Sequence, residues 1–177
     1  MADFFMSLAK INLKEQNSMK KILSVIVSIM LNLSYSSIAL QAEEIAKEKG
    51  SFGAGIILGE PIGPNVKYWI NSNAAVDFGL GFHNDFSVYS DFLWHDWKIL
   101  PQPSKGTLGG YLGLGVRYEE TEGNDKFGFR TVAGVDYWID SYPVEVYLEV
   151  APVFQVSPDT DTEFDGGIGV RYYFAKF

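Results

Sequence analysis

The chain has 177 residues, 18 of them glycine and none cysteine; aromatics make up 15% and the net charge is −8. Zero cysteines exclude a disulfide scaffold, a thiolate metal site and a lipid-anchoring cysteine, and the acidic balance argues against nucleic acid, which needs a basic face. A helical membrane bundle is excluded as well, because only one stretch is both apolar and uncharged, and mean hydropathy is +0.02. The length suits one domain.

That stretch comes first. Lys20-Lys21 is followed by Ile22 to Leu33, a run without charge. It is too short for the ~20 residues of a spanning helix and has the make-up of a signal-peptide core. Small residues at Ala39 and Ala42 offer the cleavage site. We read 1–18 as a leader or a mis-called start ahead of Met19, 19–42 as a signal peptide, 43–50 as a short polar lead, and 51–177 as the folded domain. Residues 1–42 hold Lys10, Lys14, Lys20 and Lys21 against Asp3 and Glu15, so export takes the net charge from −8 to −10.

From Ser51 onward the apolar period is two, the signature of strands. Phe52, Ala54, Ile56 and Leu58 alternate with Gly53, Gly55, Ile57 and Gly59. Val66, Tyr68 and Ile70 alternate with Lys67 and Trp69. Val76 to Phe82 and Phe86 to Trp94 continue the pattern, followed by Leu112 to Tyr118 and Phe127 to Tyr137. Val144 to Pro152 and Ile168 to Phe174 complete eight strands, joined by segments rich in Gly, Pro, Asn, Asp and Ser.

The two faces decide the class. One is apolar with aromatics near the strand ends; the other combines glycine, charge and tyrosine. A water-soluble barrel would turn its apolar face inward and leave the glycines on the wet face, where they only weaken strands. Turned round, the apolar face meets lipid, aromatics form interfacial girdles, and small or charged residues fill a narrow lumen. The fold expected is therefore all-β, an eight-stranded antiparallel up-and-down transmembrane barrel. A soluble periplasmic lipid-binding β-barrel and a narrow pore are the alternatives.

The lumen would carry Lys67, Arg117, Arg130 and Arg171 with Asp77, Asp91, Asp136, Glu145 and Glu149. Such charges must pair, because isolated ones cost several kcal/mol each. A three-residue turn at Asn71-Ser72-Asn73 puts Ile70 opposite Ala74 and Lys67 opposite Asp77. A turn at His83-Asn84-Asp85 puts Asp77 opposite Asp91 and Gly79 opposite Tyr89, with Lys67 and Arg117 as the cations for that acid pair. A pivot near Thr160 sets Glu149 opposite Arg171.

With these features the chain resembles the small eight-stranded outer-membrane β-barrel proteins (outer membrane protein A/X-like barrels). More narrowly it is similar to an uncharacterised short-barrel family, some of whose members bind a host complement regulator. The residues that carry the resemblance are Gly63 to Trp69, Ala75 to Gly81, Tyr89 to His95, Glu149 to Pro152 and Gly166 to Phe174. Together they represent about residues 51–174. Barrels of this kind end in an aromatic read by the insertion machinery; Phe174 has that register, and Ala175-Lys176-Phe177 follow it. The resemblance implies no catalytic residue and no cofactor. It implies as partners outer-membrane lipid, the barrel-insertion machinery and an extracellular protein ligand, with the chain a monomer.

With both termini periplasmic, Glu60 to Pro64, His83 to Asp85, Glu119 to Lys126 and Gln155 to Glu163 face outward. They give an acidic outer rim of Glu119, Glu120, Glu122, Asp125, Asp159, Asp161 and Glu163. The last three alternate like a calcium loop but lack its twelve-residue spacing and central glycine. Asn71 to Asn73, Lys98 to Gly106 and Ile139 to Tyr142 face the periplasm. The two histidines cannot build a three-ligand zinc site without carboxylates. Ser87, His83 and Asp85 show no nucleophile motif, and Asp91 and His95 sit ~13 Å apart along a strand. His95 reads as a girdle or hydrogen-bonding residue, and the chain as a non-enzyme.

Overall fold

The computed structural model describes residues 48–82, 85–121 and 125–174. The expected leader, signal peptide and terminal Phe177 lie outside them. Eight antiparallel strands follow one another: β1 (Phe52–Glu60), β2 (Gly63–Asn71), β3 (Ala74–Gly81), β4 (Phe86–Asp96), β5 (Thr107–Glu120), β6 (Lys126–Trp138), β7 (Val144–Ser157) and β8 (Asp161–Phe174). Each pairs with the next, and β1 pairs with β8 from Phe52↔Phe174 to Glu60↔Gly166, so the sheet closes into a barrel without edges. No helix among the described residues is long and apolar enough to cross a membrane.

Alternation decides where each side chain goes. Phe52, Ile56, Leu58, Tyr68, Phe78, Leu112, Leu114, Val116, Val135, Leu148, Val150 and Ile168 all point away from the barrel axis and are exposed. Their neighbours Lys67, Asp77, Arg130, Asp136, Glu145 and Arg171 point inward and are buried. Polarity is thus inverted relative to a water-soluble protein.

Following the register from Phe52 through Tyr68, Val76, Phe92, Leu114, Thr131 and Phe164 returns to β1 about ten residues further along. For eight strands that stagger tilts them by ~45° and leaves an interior that side chains fill. The ends carrying Phe52 and Phe174, here the base, are level. At the opposite end, the top, β5, β7 and β8 (14 residues each) overshoot β1 and β2 (9 residues each). Five extra residues at this tilt add ~10 Å of height.

Aromatic rings gather at both ends of the outer face. Phe52, Tyr172 and Phe174 meet at the base, with ring centroids 6.3 Å (Phe52–Phe174) and 5.3 Å (Tyr172–Phe174) apart. Phe82 and Phe86 (5.7 Å) and Phe127 and Phe129 (5.9 Å) meet at the top. Phe164, also near the top, is 73% exposed.

Two turns differ from the sequence expectation. Asn71 rather than Ile70 stands opposite Ala74, and a register shift between Trp69 and Asn71 restores Lys67 to its place opposite Asp77. The side chain of Asn71 closes the tight turn by accepting the Asn73 N–H at 2.9 Å, an Asx turn that shortens the loop. The β7–β8 hairpin pivots at Pro158, two residues earlier than the expected Thr160. Glu145 faces Arg171, while Glu149 faces Gly167. The connections 121–125 and 158–160 are shorter than expected because β5, β7 and β8 run on past the predicted strand ends.

Candidate functional site: the charged lumen

The base of the lumen is closed by rings. Trp69, Trp138 and Tyr173 are buried together with Ala75, and Trp97 packs against them from the β4–β5 connection. Ring centroids lie 6.2 Å apart for Trp69–Trp138, 4.6 Å for Trp138–Tyr173 and 5.8 Å for Trp69–Trp97. Trp97 is held from outside by its indole N–H, which donates to the Ser72 carbonyl at 2.9 Å.

Directly above lies the first charge layer. The Lys67 ammonium donates to Glu145 Oε1 at 2.6 Å, stands 3.0 Å from His95 Nε2, and is 4.0 Å from Asp136 Oδ2. Arg171 reaches Glu145 Oε2 at 3.3 Å, Asn65 Oδ1 at 3.0 Å, and Asp77. Trp138 Nε1 donates to Asp136 at 3.0 Å and the Tyr173 hydroxyl to Glu145 at 2.7 Å. His95 lies inside the lumen, stacked at 5.0 Å on Tyr111. Of the girdle and hydrogen-bonding roles expected for it, the position fits the second: residue 95 is an odd position of β4, on the same face as Asp91 and Leu93, and meets Lys67.

The second layer centres on Arg130, whose guanidinium bonds Asp91 (3.1 Å), Glu149 (3.1 Å) and Asp165. Its Cζ lies over the Tyr89 ring, 4.3 Å from the centroid, a cation–π contact suited to Arg. Tyr111 donates to Glu149 at 2.9 Å. Near the top, Arg117 holds Asp165 (2.6 Å), Glu163 (3.2 Å) and Glu119, while Lys126 bridges Glu119 (3.0 Å) and Glu163 (2.8 Å).

The lumen glycines have a physical explanation. Gly53, Gly79, Gly134 and Gly169 stand opposite Tyr173, Tyr89, Tyr111 and Tyr147 in the strand register. Each tyrosine ring lies over its glycine so closely that a Cβ there would collide with it. Glycine lets the rings lie flat across the neighbouring strand, and the ring in turn covers backbone that glycine leaves bare. Tyr147 then supports Arg171, whose guanidinium sits 3.7 Å from the ring centroid, and its hydroxyl bonds Asn65.

The structure thus places Lys67, Asp77, Asp91, Arg117, Arg130, Asp136, Glu145, Glu149 and Arg171 in the buried interior. Their partners differ from the expected ones. The cation of Asp77 is Arg171 and that of Asp91 is Arg130, not Lys67 and Arg117. Glu149 pairs with Arg130 rather than Arg171. Glu119 is not a rim residue: it is buried beside Arg117, because β5 continues through it on the lumen face. Glu163 is half-buried and bonded to Arg117 and Lys126. Glu120, Asp125, Asp159 and Asp161 are exposed, and Glu122 lies outside the described residues. Asp165, Asn65 and Gln155 are interior residues the sequence reading missed; the alternation of β8 through Gly167 and Gly169 would have placed Asp165.

Seven buried carboxyls (Asp77, Asp91, Glu119, Asp136, Glu145, Glu149, Asp165) thus face four buried cations (Lys67, Arg117, Arg130, Arg171) among the described residues. Every one of these cations therefore serves more than one acid, so the network links all strands except β1.

No protein-family model and no curated protein sequence matches the chain. Among solved structures it is similar to the N-terminal beta-barrel domain of OprF from Pseudomonas aeruginosa. The match covers 71% of this chain and 98% of that one, with a TM-score of 0.53 and 14% sequence identity. At that identity the likeness is one of fold, and the closed eight-stranded barrel is what it supports.

Proposed function

We propose that the chain is an integral outer-membrane β-barrel, without enzymatic activity, whose lumen is plugged by its own side chains and whose role is structural in the envelope. One observation carries this reading: the apolar residues point outward and the charges inward. A closed barrel satisfies every ladder hydrogen bond internally, so it is one of the two architectures that hydrocarbon accepts. The aromatic rings at both ends match the two interfaces of a bilayer. Strands of 8 or 9 residues in β1–β3 are close to the ~9–11 that a tilted strand needs to cross.

The outward connections 61–62, 82–85, 121–125 and 158–160 are short, so little chain stands above the top girdle to grip a ligand. That favours a role within the envelope over capture of an extracellular protein. A pore is disfavoured by the ring cluster across the base and by the three-acid grip on Arg130. The test combines membrane fractionation, heat-modifiable gel migration and planar-bilayer recording. The expected outcome is an outer-membrane band whose migration shifts on boiling, with no conductance steps. Recovery in the soluble periplasmic fraction would overturn the reading, and discrete conductance steps would replace the plug with a channel.

A further inference from the structure

The cluster at the base of the lumen has the donor set of a metal centre. His95, Asp136 and Glu145, from β4, β6 and β7, each offer one ligand atom, and these atoms lie within 4.8 Å of one another. One imidazole and two carboxylates suit zinc, which takes nitrogen and oxygen ligands in a tetrahedron. The point on which they converge is taken by Lys67 Nζ, 2.6 Å from Glu145, 3.0 Å from His95 Nε2 and 4.0 Å from Asp136.

Each ligand is also held by a neighbour other than Lys67. Trp138 Nε1 bonds Asp136, Tyr173 and Arg171 bond Glu145, and His95 lies against Trp69 (4.5 Å), Trp97 (5.6 Å) and Tyr111 (5.0 Å). Such outer contacts fix ligand orientation in metal sites. His95 turns Nε2 toward both Lys67 Nζ (3.0 Å) and Asp136 Oδ2 (3.8 Å), and Asp136 Oδ1 is buried without a hydrogen-bond partner, so the Asp136 carboxylate has coordinating capacity that the lysine leaves unused. With the ammonium removed, the Asp136 and Glu145 carboxylates supply two negative charges for a divalent ion, Glu145 sharing one of them with Arg171.

We propose that the base of the lumen is a metal-type cage that carries its own tethered cation: the Lys67 ammonium occupies the position of a zinc ion. The wild-type barrel accordingly binds no zinc there, and removing the ammonium turns the cluster into a zinc site. The inference concerns the interior of the barrel and holds whichever membrane, or none, surrounds it.

The test is Lys67→Met in the full chain, refolded in detergent micelles with and without zinc. Methionine keeps the apolar stem and removes the charge. The expected result is about one zinc per chain after gel filtration, a thermal midpoint raised by zinc in the variant but not in the wild type, and four-coordinate visible bands when cobalt(II) replaces zinc. Lys67→Met with His95→Gln should lose all three effects. The proposal is overturned if Lys67→Met retains no zinc, or if the double variant retains as much. It is equally overturned if the wild type binds zinc as tightly, since the lysine would then not hold the place. Failure of Lys67→Met to fold both with and without zinc also counts against it, because a preformed cage would recover its counter-charge from the metal.

Discussion

Gly169→Ala is a one-methyl change whose effect the lumen geometry sets. The added Cβ would meet the ring of Tyr147 from below, in a closed barrel where neither backbone can retreat. Overpacking of this kind costs about 1–3 kcal/mol. The displaced ring also leaves Arg171, now 3.7 Å from its centroid, and its bond to Asn65, adding roughly 1–2 kcal/mol for a desolvated cation–π contact. We expect a total of about 2–5 kcal/mol, measured by urea unfolding of the refolded barrel in lipid vesicles and followed by tryptophan emission. The same substitution in a Tyr147→Ala background should cost less than about 1 kcal/mol, because the obstructing ring is gone. Equal cost in both backgrounds would refute the ring-over-glycine argument, since it would trace the effect to the backbone alone.

Other outcomes can be stated alongside it. Arg130→Met leaves Asp91, Glu149 and Asp165 buried without their shared cation and should destabilise the barrel by about 3–5 kcal/mol; a change under 1 kcal/mol in the same unfolding assay would show the acids to be balanced otherwise. Val150 is 57% exposed on the outer face of β7, and Val150→Arg should cost about 2–4 kcal/mol in lipid vesicles; a neutral result would mean that the site faces water. Gln102 ties the Trp97, Leu100 and Leu108 carbonyls and the Leu108 N–H. Gln102→Ala should therefore open the 97–106 segment to trypsin at Lys98 and Lys105 while heat-modifiable migration of the barrel persists, and unchanged protease resistance would exclude that role. Trp97→Ala uncovers the edge of Trp69, so acrylamide should quench the remaining tryptophan emission more strongly; unaltered quenching would place the seal elsewhere.

The faces of the strands were legible from alternation alone, because a period of two leaves no freedom once one residue of a strand is assigned. Neighbour pairs such as Lys67↔Asp77, Asp77↔Asp91 and Gly79↔Tyr89 followed from short turns. The ion pairs did not. Lys67 on β2 bonds Glu145 on β7, and Arg130 on β6 bonds Asp91 on β4; both contacts cross the lumen. Which long side chains meet across it depends on the stagger of the closed sheet, and no hairpin register contains that quantity. Glu119 was misplaced because charge runs look like loops, whereas here β5 runs on through Arg117 and Glu119, both on its inner face. Of the two roles expected for His95, the contact with Lys67 at 3.0 Å fits the hydrogen-bonding one and not the girdle: flanking tryptophans suggested an interface, but Trp94 faces out, Trp97 closes the base, and residue 95 lies between them on the inside.

The seam between β1 and β8 ties the two ends of the barrel sequence together, and β8 brings more than a ladder. It supplies Arg171 to Asp77 and Glu145, and Asp165 to Arg117 and Arg130. A chain lacking its last strand would therefore have two raw sheet edges and several stranded interior charges at once. Partial products have no comfortable resting state, so completion and stability arrive together. A chain cut short of β8 is therefore expected to stay open with the edges of β1 and β7 unpaired, and only the full set of strands closes the ribbon.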